Sequence, residues 1–382
     1  MEKGIVIFGT GSYANSKFSS LRQANIMYCV DNDSSKWGGE FNGYPIKSPQ
    51  ELCLDPEKPL VLVCSTYYPA ISRQLEGFGF IENVDFIHVS DYLKNEEHFY
   101  KDDRKKVLLY GNCQLPFLAK YLESYELFNQ TYVIYDKAFI NDFSPDYWNE
   151  KLLSEIDLFI YQRVSSSYLG EQMSTEYILK RLSPKCETVS IPNSYFQGYF
   201  PQHISKRSPY GRFPYGDRNI VGAINHSEFS ENEIQELVRM LANDDYYSSE
   251  ELEKNTESSL EELARREAGL DVIISDFVKE NYKDRYLFYT VNHPTFWVIR
   301  EVAIRILKLL DFNHTHMNSL VIDSLNDLVV PIYPSVIKHL GLNFIDPSHK
   351  YPFHFSTNGL SYTFEEYMFE YARSYLQWGL NK

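Results

Sequence analysis

The residues with the clearest chemical potential lie at a strand-to-helix turn in the middle of the chain. The apolar run 107–110 predicts a buried strand, and Gly111 and Asn112 after it tolerate a sharp turn. Cys113 comes next, and residues 115–122 have helical spacing. A thiol at such a turn lies beside backbone N–H groups and the positive end of a helix dipole, which lower its pKa and could hold an oxyanion. A small buried cysteine without chemistry fits the same pattern.

Polar side chains also follow two later strands of the predicted sheet. Residues 156–161 form an apolar run that ends before Gln162 and Arg163, and residues 187–191 form another that precedes Asn193. Because ligands of parallel α/β sheets bind outside the carboxyl ends of the strands, we expect these side chains to converge with Cys113 at one edge.

A candidate base lies farther along the chain. His293 stands between the aromatic-rich run 286–291 and Pro294, where the backbone is expected to be extended. An imidazole there could take a proton from a thiol or a hydroxyl, although most of the ten histidines are expected at the surface or in the core. His314 and His316 have no third ligand nearby in a zinc-like spacing, so we expect no metal.

The N-terminal segment alternates predicted strands and helices. Strands are expected at 4–8, 26–30, 60–64 and 84–89. The first is followed by a glycine-rich turn with Gly9 and Gly11, and the second ends at Asp31. Such glycines allow close approach of a phosphate, and the acid suits a ribose hydroxyl. These three residues are candidate nucleotide-binding residues of a Rossmann-like half domain, which could equally be a scaffold without a ligand.

Composition and charge exclude several classes of protein. The chain has 382 residues and a formal net charge of −15, so it should repel nucleic acid and anionic membranes. Its five cysteines are scattered without a C-x-x-C pair, which argues against a disulfide framework or a zinc ribbon. With neither a signal peptide nor a membrane-spanning run in the sequence, we expect a cytoplasmic location. The sequence leaves open whether the chain forms a homo-oligomer.

The charged stretch 93–106 lacks an apolar period and is expected to be a linker. It separates a domain at 1–95 from a second domain at 106–382 that becomes helical toward its C-terminus. The further elements predicted there are a strand at 219–224, a helix opened by a capping box at Ser230, and an acidic amphipathic helix at 258–281. We therefore predict an α/β fold with a parallel sheet in each domain.

Four motifs together resemble the WcbI family of polysaccharide-biosynthesis proteins, over about residues 106–310. They are Gly111-Asn112-Cys113-Gln114, Tyr161-Gln162, Ile191-Pro192-Asn193 and Phe288-Tyr289-Thr290-Val291-Asn292-His293-Pro294. The family is regarded as coenzyme-A-binding acetyltransferases of capsule and related glycan pathways. The resemblance implies that Cys113 and His293 are the central catalytic pair. The candidate residues for holding an oxyanion or the substrate are Gly111, Asn112, Gln114, Gln162, Asn193 and Asn292.

The fold is also similar to that of the SGNH hydrolases, with a cysteine in place of their serine. Those enzymes carry an acid three residues before the histidine, whereas this chain has Thr290 there. A group that orients His293 must therefore come from elsewhere, and Asp276 is a candidate.

Residues 3–92 resemble the Rossmann-like domain that precedes many sugar acyltransferases and holds a UDP-sugar. The shared features are Gly9-Thr10-Gly11, Asp31-Asn32-Asp33, and Gly43-Tyr44-Pro45-Ile46 leading to Ser48-Pro49-Gln50-Glu51-Leu52. This resemblance implies a nucleotide-sugar ligand for the first domain.

Coenzyme A would bring phosphates to an acidic chain, so local basic groups must meet them. The segment 206–218 places Arg207 and Arg212 among aromatic residues. The arginines could bind phosphates, and the segment could stack on adenine. An ordinary surface loop has the same composition.

The sequence therefore predicts a CoA-dependent acyltransferase that acts on a sugar in polysaccharide biosynthesis, with acyl-CoA and the sugar as its small-molecule partners. Two alternatives remain open. One is an SGNH-like esterase or deacylase that uses the same residues with water as the acceptor. The other is a non-catalytic module of glycan assembly.

Overall fold

The computed structural model describes residues 4–21, 25–54, 58–95, 104–140, 148, 150–205, 216–224, 229–313, 317, 319–322, 328–352 and 361–379. Packing groups the chain into two compact units. The first unit comprises Met1–Tyr110, Gln130–Phe159 and Ile178–Glu187, and the second comprises Gly111–Asn129, Ile160–Tyr177 and Thr188–Lys382. This grouping follows packing and cuts across individual strands, so the predicted domain limits of 1–95 and 106–382 stay a prediction.

The N-terminal part of the first unit is a six-stranded sheet with the strand order β3-β4-β2-β1-β5-β6. Its elements are β1 Ile5–Phe8, α1 Ser12–Phe18, β2 Ile26–Val30, β3 Glu40–Phe41, β4 Tyr44–Lys47, β5 Leu60–Val63, α2 Tyr68–Gly77, β6 Phe86–His88 and α3 Val89–Asn95. The pairs that join β4, β2, β1, β5 and β6 are parallel. The four predicted strands are present, which confirms the α/β character of this region.

Apolar residues alternate between the two faces of this sheet and are buried on both. Ile5 and Ile7 of β1 face one core cluster, whereas Val6 and Phe8 face the other. Burial on both faces is what a parallel sheet covered by helices requires. The antiparallel hairpin of β3 and β4 was not predicted, although Asn42-Gly43, both with positive φ, forms its two-residue turn and is a typical hairpin sequence.

A second sheet has four strands in the order β10-β9-β7-β8. The elements of this part of the chain are β7 Lys105–Gly111, α4 Leu115–Ser124, α5 Glu126–Thr131, β8 Tyr132–Phe139, α6 Glu150–Glu155, β9 Leu158–Gln162, α7 Ser166–Leu169, α8 Thr175–Leu179 and β10 Glu187–Ile191. Strands β7, β9 and β10 begin in the first unit and end in the second. The three predicted strands are confirmed, but the edge strand β8 was missed.

The remainder of the second unit is mainly helical. Its elements are β11 His203–Ile204, β12 Gly216–Asp217, α9 Arg218–Ala223, α10 Glu231–Leu241, α11 Ser249–Glu267, α12 Ser275–Asn281, β13 Phe288–Thr290, β14 His293–Pro294, α13 Phe296–Leu309, α14 Pro334–Leu340, β15 Tyr351–Pro352, β16 Ser361–Tyr362 and α15 Phe364–Gly379. The predicted capping box at Ser230 is confirmed at the start of α10, where Glu233 is its partner. No helix in the described ranges is both long and apolar enough to cross a bilayer.

Two predicted elements of this region are wrong. The strand expected at 219–224 is the helix α9, because the Asp217 carboxylate accepts hydrogen bonds from the backbone N–H groups of Asn219 and Ile220 and so caps a helix. The single helix expected at 258–281 is divided into α11 and α12, because Gly269 adopts a left-handed conformation between them.

Candidate functional site

The turn after β7 is held closed by a buried amide from the neighbouring strand. The backbone N–H of Asn112 donates to Gln162 Oε1 at 2.8 Å. A Cβ atom on Gly111 would lie 2.4 Å from the same oxygen, so this close approach requires glycine. Helix α4 then begins at Leu115 with Pro116 in its first turn. Cys113 is thereby left exposed between the strand end and the helix start.

The structure brings the two predicted catalytic residues together. Cys113 Sγ lies 4.0 Å from His293 Nε2. His293 is buried at the start of β14, and its backbone pairs with that of Thr290 on β13. The imidazole thus reaches an exposed thiol from the protein side, which is the arrangement in which a histidine can accept or return a thiol proton.

Gln114 ties four segments of the second unit together. Its Nε2 donates to the backbone oxygens of Ser194 (3.0 Å) and Asn292 (2.9 Å). Its Oε1 accepts from the backbone N–H of Ser194 (3.2 Å) and from Gln162 Nε2 (3.3 Å). Both donors and both acceptor positions of this buried amide are therefore occupied. Gln114 positions the loop that leads to His293 rather than presenting its amide outward.

Gln162 performs the same kind of task one strand away. Besides accepting from Asn112, it donates through Nε2 to the backbone oxygen of Pro192 at 3.1 Å. Arg163, the next residue, donates to the carbonyl oxygens of Ala268 (3.0 Å) and Gly269 (2.6 Å) just beyond α11. The two side chains at the end of β9 therefore hold backbone segments of the second unit in place.

Asn112 and Asn193 form the outward-facing part of the amide network. Asn112 Nδ2 donates to Asn193 Oδ1 at 2.8 Å, and Asn112 Oδ1 accepts from the backbone N–H of Gln114 at 3.0 Å. Asn193 is exposed, and its Nδ2 donates to none of the described residues. Of the side chains predicted to hold an oxyanion, Asn193 is the one that presents an amide donor at the surface. Asn292 lies beside the site, where its Oδ1 accepts from Thr290 Oγ1 at 3.3 Å.

Asp276 does not orient His293. Its Oδ1 instead accepts from Arg305 Nη1 at 2.7 Å. Burial alone would raise the pKa of Asp276, but the hydrogen bond and charge of Arg305, together with backbone N–H groups, outweigh it and lower the pKa. Asp276 looked suitable because it precedes the histidine motif, but no local pattern indicates that Arg305 of α13 binds it.

The glycine-rich turn of the first unit uses its acid internally. Asp31 Oδ2 accepts from the backbone N–H of Thr10 (2.8 Å) and from Lys36 Nζ (2.9 Å), and Oδ1 accepts from the backbone N–H of Asp33 (2.9 Å). Gly9 has a φ of +102°, and an added Cβ would lie 2.8 Å from the carbonyl oxygen of Cys64, so glycine is required there for packing. Around Gly11, no described atom would contact an added Cβ.

Several predicted site residues lie outside the described residues. They are the phosphate-binding candidates Arg207 and Arg212 and the histidines His314 and His316. Over the part of the chain that the structure does describe, no group of three histidine, cysteine or acidic side chains is arranged to hold a metal ion.

The sequence profile of the polysaccharide biosynthesis enzyme WcbI matches residues 106–315. That span is more than half of the chain, and it contains every residue of the Cys113–His293 site. The chain belongs to the WcbI family. The resemblance inferred from the four motifs is thus confirmed, and with it a role in polysaccharide biosynthesis.

A solved structure and a second profile extend this comparison. A WcbI structure, described as the native protein without a disulfide bond between coenzyme A and a cysteine, has 24% sequence identity and a TM-score of 0.60. The alignment covers 73% of this chain and 91% of the WcbI chain, which confirms the fold. Residues 1–84 are similar to the N-terminal region of C2185-like proteins. No curated protein matches the chain.

Proposed function

We propose that this chain transfers an acyl group from a coenzyme A thioester to a sugar during polysaccharide biosynthesis. The observation that carries the proposal is the exposed Cys113 thiol 4.0 Å from the His293 imidazole, within the span that matches the family. The related WcbI structure supports it, because that protein is described in a form without a disulfide bond between coenzyme A and one of its cysteines.

The site fits a thioester substrate that arrives from solvent. Cys113 and Asn193 are both exposed, whereas His293, Gln114 and Gln162 are buried behind them. A thioester can therefore approach the sulfur with its carbonyl oxygen toward the Asn193 amide. Acetyl-CoA, when bound, supplies the acyl group in activated form.

In the first half of the reaction, His293 Nε2 takes the thiol proton from Cys113. The thiolate attacks the thioester carbonyl, and the Asn193 amide donates to the oxygen that becomes negative. The carbon–sulfur bond to coenzyme A then breaks, and His293 gives its proton to the departing thiolate. Cys113 now carries the acyl group as a thioester, so the acyl group is still activated for transfer.

In the second half, His293 takes a proton from a sugar hydroxyl, and the hydroxyl oxygen attacks the acyl group on Cys113. The bond from carbon to Cys113 Sγ breaks, and the proton passes from His293 to the sulfur. Direct attack of the sugar on acyl-CoA would need His293 but not Cys113. The exposed position of the thiol in front of the imidazole favours the covalent route.

For the first unit, a nucleotide sugar stays a prediction. Asp31 Oδ2 already accepts from Thr10 and Lys36, whereas Oδ1 accepts one hydrogen bond, from the backbone N–H of Asp33, so Oδ1 is the oxygen with a lone pair left for a ribose hydroxyl. Calorimetry with UDP-sugars and with NAD tests it, and we expect the UDP-sugar to bind better. Tight binding of NAD without binding of UDP-sugars would overturn the assignment. The cytoplasmic location also stays a prediction.

The test of the function is thiol release from acetyl-CoA by the full-length chain, with and without a panel of sugars and UDP-sugars. We expect release that depends on one acceptor and that is lost in Cys113→Ala. Cys53→Ala is the matched control, because Cys53 is also an exposed thiol. Release in water alone would favour the esterase or deacylase alternative, and binding of coenzyme A without any release would favour a non-catalytic module.

A further inference from the structure

A second group of side chains, outside the thiol–imidazole pair, has an unusual charge arrangement. Arg285 and Arg300 both lie over the ring of Trp297, with Cζ atoms 4.3 Å and 4.7 Å from its centroid. The two guanidinium groups are therefore no more than about 9 Å apart, the sum of these distances. We refer to Arg285, Trp297 and Arg300 as the arginine–tryptophan cluster.

Within the described residues, neither arginine of the cluster has a carboxylate partner. The acids next to the two arginines in the chain have other hydrogen-bond partners. Glu301, next to Arg300, accepts from Arg305 at 2.7 Å. Asp284, next to Arg285 in the chain, accepts from Asn343 Nδ2 at 2.6 Å. Among the described residues, the cluster thus carries two positive charges without an ion pair, in a chain whose net charge is −15.

The cluster is held in place by groups that leave its charge intact. Arg300 is 7% exposed, and its Nη1 donates to the carbonyl oxygen of Leu320 at 3.1 Å. The Arg285 backbone oxygen accepts from the Tyr199 hydroxyl at 3.1 Å. Burial lowers the pKa of Arg300, and the neighbouring charge of Arg285 contributes to the decrease. An anion bound to these guanidinium groups would offset this repulsion.

The cluster lies on the element that follows the catalytic histidine. Trp297 is in the first turn of α13, four residues after His293. Helix α13 also packs against α4, which begins two residues after Cys113. Both connections keep the cluster in the same framework as the thiol and the imidazole.

We propose that the arginine–tryptophan cluster binds a phosphate group of a substrate. A guanidinium group matches the oxygens of a phosphate with two parallel hydrogen bonds, and two such groups at this separation can hold one phosphate or a diphosphate. The inference rests on the proposed function, whose acyl donor carries a 3′-phosphate and a diphosphate. A nucleotide sugar is the second source of the same chemistry, because it also carries a diphosphate.

Calorimetric titration of the full-length chain with coenzyme A, dephospho-coenzyme A and UDP-N-acetylglucosamine tests the proposal. The variants are Arg285→Gln, which removes one charge, and Arg285→Lys, which keeps it. Arg305→Gln is the matched control, because it removes an arginine that is already paired with two acids. Circular dichroism and thermal unfolding check that each variant folds.

We expect Arg285→Gln to weaken the binding of one of these ligands about tenfold, as loss of a charge-assisted hydrogen bond does. Arg285→Lys should recover part of the affinity, and Arg305→Gln should have no such effect. Weaker binding of coenzyme A with unchanged binding of dephospho-coenzyme A identifies the 3′-phosphate as the bound group. Equal weakening of both identifies the diphosphate of coenzyme A, and an effect on UDP-N-acetylglucosamine alone identifies the sugar nucleotide.

Unchanged affinity of folded Arg285→Gln for all three ligands would overturn the phosphate site, even where the wild-type chain turns over acetyl-CoA normally. The absence of binding of all three ligands to the wild-type chain would overturn the phosphate site as well. If the wild-type chain binds only the sugar nucleotide and Arg285→Gln weakens it, the phosphate site stands while the acyl-CoA reaction fails. The two proposals therefore fail separately.

Discussion

The chain contains two strand-to-helix turns that look alike in sequence but differ in which polar groups they leave available. After β1, the Gly9–Gly11 turn is closed by Asp31, whose two carboxylate oxygens both accept hydrogen bonds from the protein. After β7, the turn at Gly111 is closed by the neutral amide of Gln162. The groups at the second turn that remain exposed are the Cys113 thiol and the Asn193 amide.

The comparison shows that a motif alone does not identify the reactive group. At the first turn, the acid that could bind a ribose stabilises the turn itself. At the second turn, the buried amides of Gln114 and Gln162 pair the backbone groups of Asn112, Pro192, Ser194 and Asn292, and the Cys113 thiol is exposed beside them. We expect chemistry where other side chains pair the backbone groups and leave a reactive side chain exposed.

The largest expected effect is on catalysis at the second turn. Replacing His293 by alanine should lower the rate of acyl transfer by about 10²–10⁴, the usual contribution of a positioned general base, because Cys113 and the sugar hydroxyl lose their proton acceptor. Affinity for coenzyme A should change by no more than a few fold. The measurement is thiol release together with calorimetry, and normal turnover by His293→Ala would contradict the mechanism.

The two turns should also differ in how they tolerate an added methyl group. Gly111→Ala should lower the free energy of unfolding by about 1–3 kcal/mol, because its Cβ would lie 2.4 Å from Gln162 Oε1. Gly11→Ala, at the first turn, should change it by about 0.5 kcal/mol or less, since no described atom would contact the new Cβ. Denaturant unfolding of the pair measures this, and equal losses would contradict the close-packed geometry at Gly111.

The contribution of Asp31 at the first turn to the free energy of unfolding should depend on pH. Burial alone would raise the pKa of Asp31, but hydrogen bonds from Thr10, Asp33 and Lys36 lower it from 3.8 to about 2. A carboxyl whose folded-state pKa is lowered stabilises the fold above its unfolded pKa, and this contribution is lost as pH falls toward the folded pKa. Asp31→Asn should therefore cost about 2 kcal/mol at pH 7, and the difference should shrink between about pH 5 and pH 2.

Urea unfolding of wild type and Asp31→Asn across this pH range is the measurement. A difference between wild type and Asp31→Asn that does not depend on pH would mean that the Asp31 carboxylate is not held as described.

The smallest predicted effect concerns the relative reactivity of the thiols. Iodoacetamide should modify Cys113 several-fold faster than Cys53, the other exposed cysteine, because Cys113 lies at a helix start beside an imidazole. Burial raises the pKa of Cys29 to about 12 and that of Cys186 to about 11, so both should react slowly. Peptide mapping after short labelling decides the order, and equal rates for Cys113 and Cys53 would argue against an activated thiol.

The sequence was informative where local pattern and chemistry coincide. The strands of both sheets were predictable from short apolar runs, and strand ends placed Cys113, Gln162 and Asn193 at one site. The pairing of Cys113 with His293, 180 residues apart, came from family motifs rather than from spacing.

Tertiary contacts explain what the sequence did not show. Gln114 and Gln162 were expected to face a substrate, but their burial and their backbone partners depend on loops that meet only in the fold. The helix α9 replaces a predicted strand because Asp217 caps it, and a short apolar run alone cannot distinguish the two. The arginine–tryptophan cluster also joins residues whose proximity no local pattern indicates.

The central claim is that Cys113 carries the acyl group during transfer. The most direct measurement is peptide mass spectrometry after brief incubation of the full-length chain with acetyl-CoA and an acid quench. The account predicts one acetyl group on the peptide that contains Cys113, none on the peptide that contains Cys53, and loss of the label when the acceptor sugar is added. Acetyl transfer that proceeds at the normal rate in Cys113→Ala, with no labelled Cys113 peptide in the wild-type chain, would contradict it.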